Sequence, residues 1–234
     1  MFFFDIWYFI IIAPALLLAF VAQWMVKSAY TKMSRVGASM TGYAAAKKIL
    51  DHHGLYDVSI EQTPGELSDH YDPRGKVLRL SPGVYGGQSM AAVGIAAHEV
   101  GHALQDAKKY APLVLRNMAV PAANFGSSLG SIVLMVGLVM TMSLATAALG
   151  KWVFLAGIVL FSMTVVFQVV NLPVEFDASA RAKVDLVNLG IISGPELPYV
   201  SKVLNAAALT YVAATLQAVL TLLYYVWRYM GTRD

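Results

Sequence analysis

The sequence predicts a mainly α-helical membrane protein, with about four transmembrane helices and a small α+β domain that carries a metal site. Three observations support this. Of the 234 residues, 58% are hydrophobic and only 13% are charged; a soluble domain is nearer a quarter charged, so much of this surface must face lipid. The most apolar residues gather in four runs long enough to cross a bilayer. The polar remainder holds one H-E-x-x-H, in Ala97-His98-Glu99-Val100-Gly101-His102-Ala103.

The first run is 6–26, interrupted only by Pro14 and Gln23. Its length at 1.5 Å per residue is about 31 Å, enough to span the hydrocarbon core. No Lys or Arg precedes it, and Lys27, Lys32 and Arg35 follow. It is therefore expected to be a retained span rather than a cleaved leader, with its N-terminus outside and residues from 27 onward in the cytoplasm.

Residues 27–122 form the main polar segment. Thr41 to Asp51 has helical spacing, with Gly54 placed to end it after His52-His53. Val58 to Glu61 alternates as a half-buried strand, and Lys76 to Leu80 is a second strand candidate. Pro64-Gly65, Asp72-Pro73-Arg74-Gly75 and Ser81-Pro82-Gly83 supply the turns. Ser89 is a credible N-cap for a helix running to about Lys108, which contains the H-E-x-x-H. Gly101 inside that helix costs about 1 kcal/mol against Ala, which points to close backbone packing there.

Two further spans are expected at 125–149 and 152–170, with Gly150-Lys151 as the hairpin between them. Gly126 and Gly130 would let another helix approach closely. Residues 171–205 form a second polar, helical segment. The last span is 206–229, with Tyr224, Tyr225, Trp227 and Tyr229 as an interfacial aromatic belt. Two spans separate the polar segments, so both fall on one side. They hold fourteen of the seventeen Lys and Arg residues, which places that side in the cytoplasm. The net charge of +3 is explained by this topology, and no nucleic-acid partner is expected; the bilayer is.

On a helix, His98 and His102 lie one above the other and can direct two imidazoles to one Zn²⁺. Glu99 leaves the helix beside His98, close enough to hold a water and take its proton. With five His and five Glu in the chain, chance supplies about 0.002 such motifs. A catalytic zinc needs a third protein ligand and an open position. There is no Cys, so the ligand must be His or a carboxylate: His52, His53, His70, Asp106, Glu175, Asp177 or Glu196. Glu175 is favoured because a carboxylate where the third span ends needs a partner unless it is solvated. The competing view makes Glu175 and Asp177 a solvated helix start.

Three segments carry a family resemblance. They are Leu67-Ser68-Asp69-His70-Tyr71-Asp72-Pro73, Ala96-Ala97-His98-Glu99-Val100-Gly101-His102-Ala103-Leu104-Gln105, and Pro173-Val174-Glu175-Phe176-Asp177-Ala178-Ser179-Ala180-Arg181-Ala182. Together they resemble the YugP-type membrane zinc metallopeptidases, over nearly the whole chain. That group is similar to the gluzincin peptidases of the HtpX and CAAX-prenyl-protease kind. The resemblance implies a zincin-like metallopeptidase domain on the cytoplasmic side, with zinc on His98, His102 and Glu175. It also implies a supporting Asp four residues after Glu175, where this chain has Ser179. A serine can accept a hydrogen bond from an imidazole but brings no charge; Asp177 or Asp106 would then be the acidic support.

His70, Tyr71 and Tyr85 are candidate donors to the oxyanion of peptide hydrolysis. Arg181 is expected to pair with a local carboxylate, and His52-His53 to form a helix end. The strand at Lys76 to Leu80 is a candidate for binding substrate main chain as an added strand. The expected function is a multi-pass membrane zinc endopeptidase acting on a polypeptide, a membrane protein or its exposed terminus included. One alternative is a site-2-type intramembrane protease, but the apolar stretch before His98 is too short to span. A zinc-stabilised scaffold with four protein ligands is the other. The sequence assigns no oligomeric state or regulatory partner.

Overall fold

The computed structural model describes residues 5–231. Ten helices and strands follow one another: α1 Ile6–Met33, α2 Gly42–His52, β1 Ser59–Gln62, β2 His70–Asp72, β3 Val77–Leu80, α3 Pro82–Tyr85, α4 Met90–Ala107, α5 Ala111–Met140, α6 Ala147–Asn188 and α7 Leu197–Met230, with a 3₁₀ turn at Gly194–Glu196 before the last. Helices α1, α5, α6 and α7 are long and apolar enough to cross a membrane. Helix α6 has 42 residues, about 63 Å at 1.5 Å each, roughly twice a hydrocarbon core. Much of it therefore need not lie in lipid. Pro173 stands inside α6 and cannot donate to the carbonyl of Val169, yet the helix continues.

The chain divides into two compact units. The metal motif belongs to the one made of residues 21–114 and 173–210. Two of its helices, α2 and α4, start where a side chain satisfies one of the first free amides. Thr41 Oγ1 accepts from Ala44 N at 3.1 Å to cap α2, and Ser89 Oγ accepts from Ala92 N at 3.2 Å to cap α4. Helix α2 closes at Gly54, whose φ of +71° is the left-handed conformation glycine adopts without cost. The sheet order is β1-β3-β2, with β1 parallel and β2 antiparallel to β3.

Leu78 and Leu80 of β3 are fully buried in a core with Ile49 and Leu50 of α2, Met90, Val93 and Val100 of α4, Leu186 of α6, and Val200 and Leu204 of α7. The central place of β3 overturns one expectation. Both its edges are already paired, so it cannot receive substrate as an added strand; β2 is the edge strand that packs on α4.

The other unit comprises residues up to 20, 115–172 and from 211 on. Here α5 and α6 pack through glycines, as the Gly126–Gly130 spacing suggests. A Cβ on Gly126 would collide with the carbonyl of Leu160, and one on Gly157 would stand 2.6 Å from the amide of Leu134. Leu134, Phe154 and Ile158 are buried between them. Outward, Leu17, Phe20, Ile132 and Trp152 are well exposed, as residues facing hydrocarbon would be.

Two expectations are corrected in this unit. The hairpin lies at 141–146, not at Gly150-Lys151, which fall inside α6. Thr141 and Thr146 turn the chain by donating their hydroxyls to the carbonyls of Leu138 and Met140, at 2.6 and 2.8 Å. Gly150 is used instead for close approach, since a Cβ there would stand 2.7 Å from Met140 and Thr141 backbone. Tyr224 is buried rather than lining a lipid boundary, and donates to Asp5 Oδ2 at 2.6 Å. Trp227 keeps the exposed position expected of a belt residue.

Candidate metal centre

Helix α4 supplies Glu99 and His102, both buried, and His98, which is half-buried. Gly101 sets how near α6 comes: a Cβ there would be 2.6 Å from the carbonyl oxygen of Ala178 and 3.0 Å from its Cα. The close crossing brings Glu175, one turn before Ala178, against the two histidines. His98 Nε2 lies 3.3 Å and His102 Nε2 3.5 Å from Glu175 Oε2. One ligand atom from each residue falls within 4.8 Å of the others. Ligand atoms about 2.0–2.1 Å from a tetrahedral zinc are about 3.3–3.4 Å apart, so the two histidine–carboxylate spacings fit that ion.

Hydrogen bonding at the far side of each ring explains why both Nε2 atoms face Glu175. His98 Nδ1 is 3.1 Å from Ser179 Oγ. His102 Nδ1 is 3.0 Å from Gln105 Oε1, while Gln105 Nε2 donates to the carbonyl of Val174 and to Asp177 Oδ2, both at 2.8 Å. Because the Gln105 nitrogen faces two acceptors, its oxygen must face His102, and His102 Nδ1 must carry the proton. The Nε2 lone pair then points toward the Glu175 carboxylate. A ring lone pair and a carboxylate oxygen can face each other at this distance only across a cation, a shared proton or a metal ion.

Electrostatics show the same demand. Burial lowers the His102 pKa, but the Glu175 hydrogen bond and the charges of Glu99 and Glu175 outweigh it and leave it above the ordinary imidazole value. Burial raises the Glu175 carboxyl, and its contacts with His102 and His98 reverse that, leaving it well below the usual carboxylate range. Glu99 is 9% exposed and close enough for its charge to act on His102. Among the described residues, this is the cluster of His, Asp and Glu that could hold a metal ion. Its three donors, two imidazoles and one carboxylate, are the kind zinc takes in catalytic sites.

The remaining sequence candidates lie elsewhere or act at one remove. Asp106 accepts from Tyr71 Oη at 3.0 Å and does not support a histidine. It stands one residue past Gln105, turned about 100° around α4 toward β2. Asp177 reaches His102 only through Gln105, and Arg181 clamps it with bonds of 2.6 and 3.2 Å. His70 is exposed and its Nδ1 donates to the carbonyl of Ser68 at 2.8 Å; strand alternation turns it away from the face on which Tyr71 meets α4. Tyr85 stacks against Tyr43 with ring centroids 4.8 Å apart. His52 ends α2 and His53 caps it, with His53 Nε2 3.0 Å from Asp185.

The hydroxyl of Tyr71 is thus committed to Asp106, and burial together with that bond raises its pKa. Tyr71→Phe is expected to cost about 1 kcal/mol of stability in a thermal melt.

Sequence reasoning missed Gln105. It is fully buried and three residues past His102, on the same helix face. That spacing was the available signal, but a neutral amide next to the charged Asp106 drew no attention.

Residues 8–230 match the family model described as "Putative neutral zinc metallopeptidase". The chain belongs to that family. It is also 47% identical over 222 residues to "Putative membrane protease YugP" of Bacillus subtilis (strain 168), covering 94% of this chain and 95% of that one. No solved structure matches it.

Proposed function

We propose that this protein is a multi-pass membrane zinc endopeptidase of the gluzincin type, with its site on the cytoplasmic face. The observation that carries the reading is the convergence of His98, His102 and Glu175 at the spacing of a tetrahedral ion. Zn²⁺ in that place would act as a Lewis acid and lower the pKa of water to near neutrality. Glu99, beside His98, takes the proton of the attacking water and later delivers it to the leaving amine. His98 and His102 hold their ligand geometry through Ser179 and Gln105. An extended polypeptide would align by main-chain hydrogen bonds on the edge of β2, next to α4. A membrane protein's exposed terminus is the substrate an enzyme anchored in the bilayer would meet.

Metal and activity are tested together on the full chain in detergent. The expected result is one zinc per chain, and cleavage of an unfolded polypeptide that a chelator abolishes and added zinc restores. A zinc held by four protein ligands, with no cleavage, would establish the scaffold instead. Cleavage mapped to the middle of a substrate's span would establish the intramembrane reading, although the motif helix α4 is not among the four helices apolar enough to cross.

Orientation has its own measurement. The chain has no native Cys, so single-cysteine labelling needs no background removal. A membrane-impermeant maleimide should label Leu144→Cys, at the exposed α5–α6 turn, in intact cells. Lys76→Cys, in the exposed turn just before β3, should react only after permeabilisation. The reverse pattern would invert the topology.

A further inference from the structure

Gln105 is a fully buried amide on a helix whose other buried side chains are mostly small or apolar. Burying an amide without partners is costly, and here every polar atom of the side chain has one. The oxygen accepts from His102, and the nitrogen donates to Val174 and Asp177. Beyond Asp177 stands Arg181, paired to both carboxylate oxygens and lying 5.7 Å over the ring of Tyr110. The two histidines are therefore held differently. His98 meets a hydroxyl, whereas His102 is joined through one amide to a carboxylate that a guanidinium fixes in place.

We propose that Gln105 is a positioning residue of the metal centre, which locks His102 in its Nδ1–H form and couples it to the Asp177–Arg181 pair. This rests on the metal reading above. A group that orients a ligand imidazole and adds to its basicity typically changes metal affinity 10–100-fold. The Gln105 oxygen sets ring orientation and tautomer. Asp177 sets the orientation of Gln105, since only a nitrogen can face a carboxylate oxygen. Arg181 holds Asp177 at the required place and balances its charge, so no unpaired charge is buried beside the metal.

The test compares Gln105→Met and Gln105→Glu in the full chain. Methionine matches the length and volume of glutamine but accepts no useful hydrogen bond from His102. Glutamate keeps an oxygen facing Nδ1, and in its protonated form keeps a donor for Asp177. Zinc affinity is measured by chelator competition, and the His102 tautomer by ¹⁵N NMR of the metal-free protein at alkaline pH, where the ring is neutral. The expected order of affinity is wild type, then Glu, then Met, with Met weaker than wild type by about 10–100-fold. In Met the His102 resonances should shift from Nδ1–H to a mixture of tautomers. A residue that only fills space predicts the opposite order, because methionine packs and a buried carboxylate does not; that order overturns the proposal, as does wild-type affinity and tautomer in Met. If wild type binds no zinc while the tautomer still depends on Gln105, the metal reading fails and the positioning role stands.

Discussion

Glu99→Gln should leave zinc binding intact and lower kcat about 10³-fold, within the 10²–10⁴ range that a general base contributes. The loss corresponds to about 4 kcal/mol of transition-state stabilisation. The two effects separate because Glu99 is not among the three converging ligand residues. Glutamine has nearly the same shape, so the helix and the histidines on either side should keep their places. What it cannot do is take a proton from water. Zinc content is read by metal analysis and cleavage by peptide release. Unchanged cleavage with full zinc would place the base elsewhere in the site.

How much of this site was legible in the sequence depends on distance along the chain. The pair His98 and His102 is local, since the helix period alone puts residues four apart on one face. Glu175 lies 73 positions beyond His102, and nothing local joins them; the topology of the spans and a family resemblance were needed to select it. The structure supplies the physical reason, a helix crossing close enough at Gly101 and Ala178 that only glycine fits. Gln105 escaped because a neutral side chain three residues past a ligand looks like any polar surface residue until its burial is known.

The fold divides in the same way. The cap at Ser89 follows from residue type, the strand near 58–61 from alternation and the one near 76–80 from its flanking turns, whereas Thr41, expected inside α2, is its cap. Strand β2 did not follow, because three residues give too short a pattern to recognise. The α5–α6 turn was misplaced because its residues, Thr141 to Thr146, are themselves largely apolar or small. The glycine that looked like a turn, Gly150, is used for helix packing.

Gly101→Ala tests whether that crossing builds the site, because two known effects act with opposite signs. In an isolated helix, alanine in place of glycine stabilises by about 1 kcal/mol. At this position the new methyl would meet the Ala178 carbonyl oxygen at 2.6 Å, and its neighbours are backbone, which cannot rotate aside. Overpacking of this kind costs about 1–3 kcal/mol, so the net expectation is destabilisation. The larger effect is on function. Helix α6 must move away from α4, carrying Glu175 and Ser179 with it. The 3.3 and 3.5 Å ligand spacings and the 3.1 Å support of His98 by Ser179 all open together. A displacement of about 1 Å can cost about 10² in rate, here with a fall in zinc affinity as well. Gly194→Ala is the control, since a Cβ there meets nothing within 4 Å and should be tolerated. Titration with zinc, a thermal melt and an activity assay on both variants decide the matter. If Gly101→Ala melts higher and cleaves as well as wild type, the α4–α6 contact does not set the geometry of the metal centre.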